Sequence, residues 1–567
     1  MLQPIQRYPR KFVAEDLQIQ KWADVASYFE KLLEIPIHSV SELEEWLKNR
    51  SEIESIVAED YHWKYIHQSC DTNNPQKEAA LSYFLSDIMP EWMSHSNKLN
   101  QKVINCPYLE QLDPIRYKIY LRNLRNEVAL FREENIALQT KVDQLANEYG
   151  KISGAMTIEH EGQTLTLQQA QKLLQSEDRN LRQNIFEKIQ SRRLADCERL
   201  EELFDKMLKI RHQIAINAGF DNYRDYMMRS LGRFDYGVKD CEDFHQSIAH
   251  VITPILKKIY SERVQKLQLT ELKPYDLDVP YPNEHPLRPF QNSSELIQKS
   301  IESLNEIDTY FGDCISIMQL MKHLDLDSRV GKRPGGYNMP LPEIGVPFIF
   351  MNATGTQQDL VTMVHESGHA IHSFLTKDLT YQFDKEFGSE VAELASMSME
   401  LLTMDYWHHF YPNPDDLHKA KREQMFRILS ILPWIAIVDQ FQHWIYTHPN
   451  HTREERRATW REIQERYSTG EISWKGYEHF LDFSWHKQLH IFEVPFYYIE
   501  YGIAQLGAVG VWKNYKMNAK KAVSDYKSAL SLGGKVSIPE VYHTAGIAFD
   551  FSEKHIQSLS SLLESEL

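Results

Sequence analysis

The chain has 567 residues, 42% of them hydrophobic and 25% charged, values ordinary for a soluble globular protein with a large core. Its formal net charge of −17 argues against general nucleic-acid binding, which needs a basic patch. Solubility is the simplest use of that acidity, with steering of cationic substrates behind it. Five cysteines are scattered without a Cys-x-x-Cys pair, which fits free thiols in a reducing compartment and offers no cysteine zinc or redox motif.

Met1-Leu2-Gln3-Pro4-Ile5-Gln6-Arg7 lacks the apolar stretch of a signal peptide. The longest apolar run, Ile428 to Val438, is interrupted by Ser430 and Pro433 and is too short to span a bilayer. A cytoplasmic protein with no membrane partner is the expectation. Trp22, Val25, Ala26, Phe29, Leu32 and Leu33 keep a helical period. Ser41 with Glu44 predicts a capping box for the next helix. One long helical pattern runs from Asp113-Pro114 to about Tyr149.

The pattern changes near 150. Met156 to His160 alternates, Glu161-Gly162 is a turn signal, and Gln163 to Leu167 alternates again, which predicts a β-hairpin near 156–167. Thr166 with Gln169 caps the helix that follows, and residues 168–263 return to amphipathic helices. Pro274, Pro280, Pro282, Pro286 and Pro289 rule out regular structure there; Tyr275, Leu277, Val279 and Tyr281 give that loop apolar anchors. A helix follows at about 294–325. The Gly-rich stretch 331–337 lacks the Gly-Lys-Ser/Thr ending of a phosphate loop. Val346 to Asn352 reads as a strand, and Pro347 assigns it to a sheet edge. Such an edge could bind an extended peptide by strand addition, which makes Phe348 a candidate substrate contact; alternatively the proline simply protects the edge.

His365-Glu366-Ser367-Gly368-His369 has the form His-Glu-x-x-His. On a helix, positions i and i+4 share a face, so both imidazoles can reach one ion while Glu366 points at a water beside it. Thr356 as N-cap with Asp359, and apolar Val361, Val364, Ile371 and Phe374, predict that helix. Gly368 costs about 1 kcal/mol against alanine, which points to a close packing partner. A third ligand is sought on a second helix starting after Gly388 with Ser389 as N-cap. Glu393 is the first choice there, with Glu386 and Glu390 as rivals. Glu400, two turns on, suits a hydrogen bond to a ligand histidine.

Residues 412–466 read as helical, with Thr452 and Glu455 as a cap. Neither His408-His409 nor His448 and His451 suits a metal site, because adjacent histidines diverge on a helix and the second pair flanks a turn. In Trp485 to Ile503, Tyr497 and Tyr501 are i and i+4, and Tyr498 and Tyr501 are i and i+3. An aromatic core helix explains them slightly better than a set of oxyanion donors.

Val364-His365-Glu366-Ser367-Gly368-His369-Ala370-Ile371-His372, followed by Val391-Ala392-Glu393-Leu394-Ala395-Ser396, resembles the thimet oligopeptidase and oligoendopeptidase F family of zinc metallopeptidases. The resemblance implies a mainly α-helical zincin-type fold, with a small hairpin, a short sheet beside the active-site helix, and two lobes around a substrate channel. It implies an N-terminal helical lobe over 1–175 and a catalytic domain over 176–567. It implies one Zn²⁺ held by His365, His369 and Glu393, with Glu366 as general base, in an endopeptidase for short peptides. His490 with Tyr498 and Tyr501 matches the family's substrate and oxyanion contacts. The His-to-Tyr spacing departs by one residue from the thimet branch and resembles the oligoendopeptidase F branch, which leaves Tyr497, Tyr498 and Tyr501 all open, with Tyr501 the first choice. His372 and His543, the latter beside a glycine-rich loop, are further candidate contacts. A zinc exopeptidase, or a non-catalytic peptide-binding protein with a structural metal, are the alternatives. The sequence gives no oligomeric state.

Overall fold

The computed structural model describes residues 2–567 except 330 and 334; Met1 and Pro334, which belong to stretches read above, lie outside the described residues. Among the described residues the chain is predominantly α-helical with five short strands. Strands β1 (Thr157–His160) and β2 (Gln163–Thr166) form the hairpin. Glu161 and Gly162 both take positive φ, at 49° and 76°, as a two-residue turn matched to strand twist requires. Strands β3 (Leu324–Asp327), β4 (Tyr337–Met339) and β5 (Phe348–Ala353) form a second sheet in the order β3-β5-β4. β5 runs parallel to β3 and antiparallel to β4.

This order corrects the edge-strand expectation. β5 is the central strand, because Pro347 stands one residue before it and takes nothing from the ladder. Phe348 is buried in a hydrophobic cluster with Ile66, Leu341 and Phe350, with its ring 5.9 Å from Trp63, so it is a core residue. Among the described residues β4 is paired with β5 on one side only.

Contacts divide the chain into two compact units, each assembled from three segments. One comprises 1–131, 287–421 and 504–549; the other comprises 132–286, 422–503 and 550–567. The units therefore interleave along the chain, unlike a single cut at 175. The first contains the β3-β5-β4 sheet and the helices that carry the His-Glu-x-x-His motif. Its N-terminal helices bury Val25, Phe29, Leu32, Leu43, Trp46 and Leu47 together, as their period predicts, and the Trp46 indole donates to Leu32 O at 2.8 Å. The second unit contains the hairpin, packed on Ile185, Phe186 and Ile189 of the helix Arg179–Ala195. The Pro-rich stretch is ordered in this unit: Asp276 is fully buried and accepts from Arg179 and Arg182 at 2.8 and 2.7 Å.

Local signals were displaced in three places. The helix expected to start at Ser41 starts at Val40, capped by Ser39 and Glu42; the Ser-x-x-Glu spacing occurs twice in register and the earlier copy is used. The long pattern after Asp113 breaks at Phe131 and Arg132, both extended, into Lys118–Leu130 and Glu133–Gly154. The helix expected over 294–325 breaks at Asp308, whose carboxylate caps Thr309–Leu320. Among the described residues no helix is long and apolar enough to cross a membrane.

Candidate active site

The motif helix is Gln357–Thr376. Thr356 Oγ1 accepts from Asp359 N, and Asp359 Oδ2 accepts from Thr356 N at 2.9 Å, a complete capping box. Leu360, Val361, Met363, Val364, Ala370 and Ile371 bury the inner face. The acid helix is Ser389–Thr403, with Gly388 rather than Ser389 at its N-cap. The two helices approach closely at Gly368, where an added Cβ would lie 2.5 Å from Ala395 O and 2.6 Å from Ser396 Cα. Glycine is required here by space, not by backbone angle.

That approach brings the acid helix to the two histidines. Glu393 Oε2 stands 3.3 Å from His365 Nε2 and 3.7 Å from His369 Nε2. A tetrahedral zinc with ligands at about 2.0–2.1 Å holds its ligand atoms about 3.4 Å apart, so Glu393 stands near ligand spacing from both histidines, and the three donor atoms all lie within 4.8 Å of one another. The group is one of two sets of clustered ligand-type side chains among the described residues. Glu386 and Glu390 fall outside it: Glu386 accepts from Gln382 Nε2, and Glu390 lies in the first turn of the acid helix, its carboxylate turned towards Gly388.

Two of the three candidate ligands are held from behind. His365 Nδ1 is 2.7 Å from Glu400 Oε1, leaving Nε2 for an ion. Ser396 Oγ donates to Glu393 Oε2 at 3.0 Å. Although burial opposes it, Glu393 and Glu400 together hold the His365 imidazolium well above its ordinary range. Burial pushes His369 down to about 4, towards the neutral form that a metal ligand needs. Burial alone would raise Glu393, but His369 and His365 hold its carboxyl down at about 2.

Glu366 is buried on the same helix, and burial pushes its carboxyl up to about 7. Its backbone carbonyl accepts from Asn338 Nδ2 of β4 at 3.2 Å, tying the sheet to the motif helix. His372 points elsewhere: it is buried, stacks on Phe387 at 3.9 Å, and does not join the donors. His543 is exposed on the short helix Ile538–Thr544, also outside the donor group.

The second unit holds the other predicted residues in one aromatic cluster. The His490 ring lies 4.7 Å from Tyr498, 5.7 Å from Tyr501 and 6.0 Å from Tyr497. Trp434 Nε1 donates to Gln488 Oε1 at 2.8 Å, so the Gln488 amide presents its NH₂ to His490 Nδ1 at 2.6 Å. Nδ1 must then accept, and the neutral ring carries its proton on Nε2 as a donor. Phe496, just before the helix Tyr498–Met517, takes a left-handed φ of 68°, costly for a bulky side chain. It is pinned there: its N–H donates to Gln442 Oε1 at 2.8 Å and its carbonyl accepts from Arg233 at 2.5 Å. Arg233 also pairs with Glu500 at 2.7 Å in full burial. Asn338, Ser396, Gln488 and Arg233 were not found from sequence, because each acts through a neighbour that only the fold supplies.

The chain is similar to known proteins over most of its length. The family description Peptidase family M3 matches residues 172–561, and Peptidase M3 N-terminal domain matches residues 12–131. An oligoendopeptidase F homolog of Borreliella burgdorferi is 24% identical over 484 residues, 83% of this chain and 78% of that protein. The chromosomal oligoendopeptidase F of Lactococcus lactis subsp. cremoris is 23% identical over 423 residues, 69% of this chain and 65% of that protein. A solved structure of PZ peptidase A with inhibitor 2 superposes with a TM-score of 0.89 at 26% identity, over 96% of this chain and 97% of that one.

Proposed function

The chain belongs to peptidase family M3, a family of metal-dependent oligopeptidases, and from that premise we propose that it is a zinc endopeptidase cutting internal bonds of short peptides. The observation that carries the reading is the convergence of His365, His369 and Glu393, with Glu366 buried one residue from the first ligand. His365 Nε2, His369 Nε2 and a Glu393 carboxylate oxygen would hold one Zn²⁺, with Glu400 orienting His365. Three protein ligands rather than four suit a catalytic ion. The zinc supplies Lewis acidity towards a water and towards the scissile carbonyl.

Glu366 takes the proton of the attacking water at its carboxylate and passes it to the nitrogen of the leaving amine. A carboxyl raised by burial suits both halves of that task, and a nearby cation would bring it back down. The Tyr501 hydroxyl and the Nε2–H of His490 are the proposed donors to the oxyanion. Tyr498 and Tyr497 pack against both and fix their direction. The peptide is proposed to lie along the open side of β4, a role that the sequence had suggested for β5. The catalytic part is assigned to 176–567, which the family match over 172–561 supports. Short peptides as substrates rest on the oligoendopeptidase names of the relatives.

The test is mass spectrometry of an end-blocked peptide of about ten residues, incubated with zinc-loaded protein beside chelator-treated and Glu366→Gln controls. Internal cleavage that disappears in both controls is the expected result. Cleavage of free-ended peptide only would make the protein an exopeptidase, and stoichiometric zinc without any cleavage would make it a binding protein.

A further inference from the structure

A second group of ligand-type side chains closes on itself, entirely within the second unit and apart from the His-Glu-x-x-His residues. The helix Val238–Ser247 carries Cys241 and His245, and the helix Pro414–Thr447 carries Asp439 and His443. Each pair is i and i+4, so each shares one helical face. The faces meet: ligand atoms of Cys241, Asp439 and His443 all lie within 4.8 Å of one another. His245 Nε2 is 2.8 Å from Asp439 Oδ2. All four residues are buried, with exposures of 1%, 3%, 0% and 8% for Cys241, His245, Asp439 and His443.

Buried polar atoms are nearly always partnered, and exceptions ask for a cause. Among the described residues, Asp439 Oδ1 and both ring nitrogens of His443 have no hydrogen-bond partner. His443 Nε2 is 3.2 Å from Asp439 Oδ2 without hydrogen-bond alignment. An ordinary buried Asp–His pair accounts for His245 and Oδ2 but leaves Oδ1 and His443 unexplained. A bridging water would serve those atoms and leave the thiol beside them without a role. A divalent ion that accepts sulfur, nitrogen and oxygen donors uses all three at once.

We propose that Cys241, Asp439 and His443 form a second divalent-cation site of the zinc class. His245 holds Asp439 through Oδ2, the supporting part that Glu400 plays for His365. On binding, the Cys241 thiol loses its proton to solvent and the thiolate ligates the ion. A cavity of about 410 Å³, lined in part by His245, His443, Gln440 and Arg466, gives the ion a way in and room for a water as fourth ligand. The bound ion ties Val238–Ser247 to Pro414–Thr447.

Cobalt tests this on the full chain, because a cobalt–thiolate bond gives a near-ultraviolet charge-transfer band that a site of two histidines and a glutamate cannot give. Apo protein titrated with Co²⁺ is expected to take two equivalents and develop that band. Cys241→Ser should lose the band and one equivalent, whereas His369→Ala should keep the band and lose the other equivalent. His443→Gln, checked for folding by circular dichroism, guards against misfolding of the serine variant and should also drop to one equivalent. A wild-type protein that takes one equivalent, or takes two without the band, overturns the site, as does a band that survives in Cys241→Ser.

Discussion

The two ligand clusters are built alike and differ where chemistry would be decided. Each starts from an i, i+4 pair on one helix and is completed by residues of a second helix. In the first, the side chains of His365 and His369 are each 19% exposed, and Glu366 stands beside them as a buried carboxyl with a raised pKa. In the second, none of the four residues is more than 8% exposed, one of them is a thiol, and none is a carboxylic acid free for proton transfer, since Asp439 is engaged by His245. Ligand count does not separate them. Access and a spare acid–base group do, and under the two proposals they assign turnover to the first cluster and retention to the second.

The sharpest way to break that contrast is to remove the acid–base group alone. Glu366→Gln keeps volume and hydrogen bonding but cannot carry a proton. General acid–base catalysis is worth about 10²–10⁴-fold, so kcat is expected to fall by that factor while zinc content stays unchanged; steady-state kinetics beside metal analysis checks both. A variant that kept near-normal kcat would leave the first cluster no better equipped for catalysis than the second. Glu400→Ala acts one step back. It frees His365 Nδ1, and loss of such a supporting group lowers metal affinity by about 10–100-fold, readable in a competition titration against a chelator. The same titration on Glu366→Gln should show no comparable loss.

Gly368→Ala probes the helix contact that assembles the first cluster. Alanine gains about 1 kcal/mol in helix propensity, but its Cβ would meet backbone atoms at 2.5 and 2.6 Å. Overpacking of that kind costs about 1–3 kcal/mol and cannot be relieved by a side-chain rotation, so the clash wins. We expect net destabilisation of about 1–2 kcal/mol and weaker zinc binding as Glu393 is pushed away. Thermal melts of metal-free protein separate the first effect from the second; unchanged stability in those melts would mean that the helices are not in contact at Gly368.

Sequence reading reached the first cluster because its information is local. Two histidines, a base and a capping box lie within 356–376, and helical period alone aligns them. Glu393 was harder, since Glu386 and Glu390 stood at similar distances along the chain and only the packing at Gly368 separates them. The second cluster was not seen at all. Cys241 and His245 stand near 240 and Asp439 and His443 near 440, and neither pair signals anything until two helices are laid together. The same reason explains the misassigned strand: Pro347 marks an edge only if it lies inside the ladder, and β5 starts one residue later. The break at Phe131 and Arg132 interrupts no period and has no glycine or proline, so tertiary structure alone places it.

The smallest effect is expected at Ser396. Its hydroxyl is fully buried and lies 3.0 Å from both Glu393 Oε2 and its own helix carbonyl at Glu393. A hydroxyl has one proton, so it can serve the carboxylate only while leaving the carbonyl, which already sits in a helix. Ser396→Ala therefore removes one hydrogen bond to a charged acceptor, worth about 1.5–3 kcal/mol at most, and part of that returns as helix propensity. Once an ion holds Glu393, the carboxylate no longer depends on the serine for its orientation. Zinc affinity should therefore fall by less than about tenfold, below the loss expected for Glu400→Ala, and kcat should stay near wild type at saturating zinc. A loss as large as that of Glu400→Ala would mean that the Glu393 carboxylate is positioned chiefly by Ser396, and the first cluster would then be less preorganised by its two helices than the Gly368 contact implies.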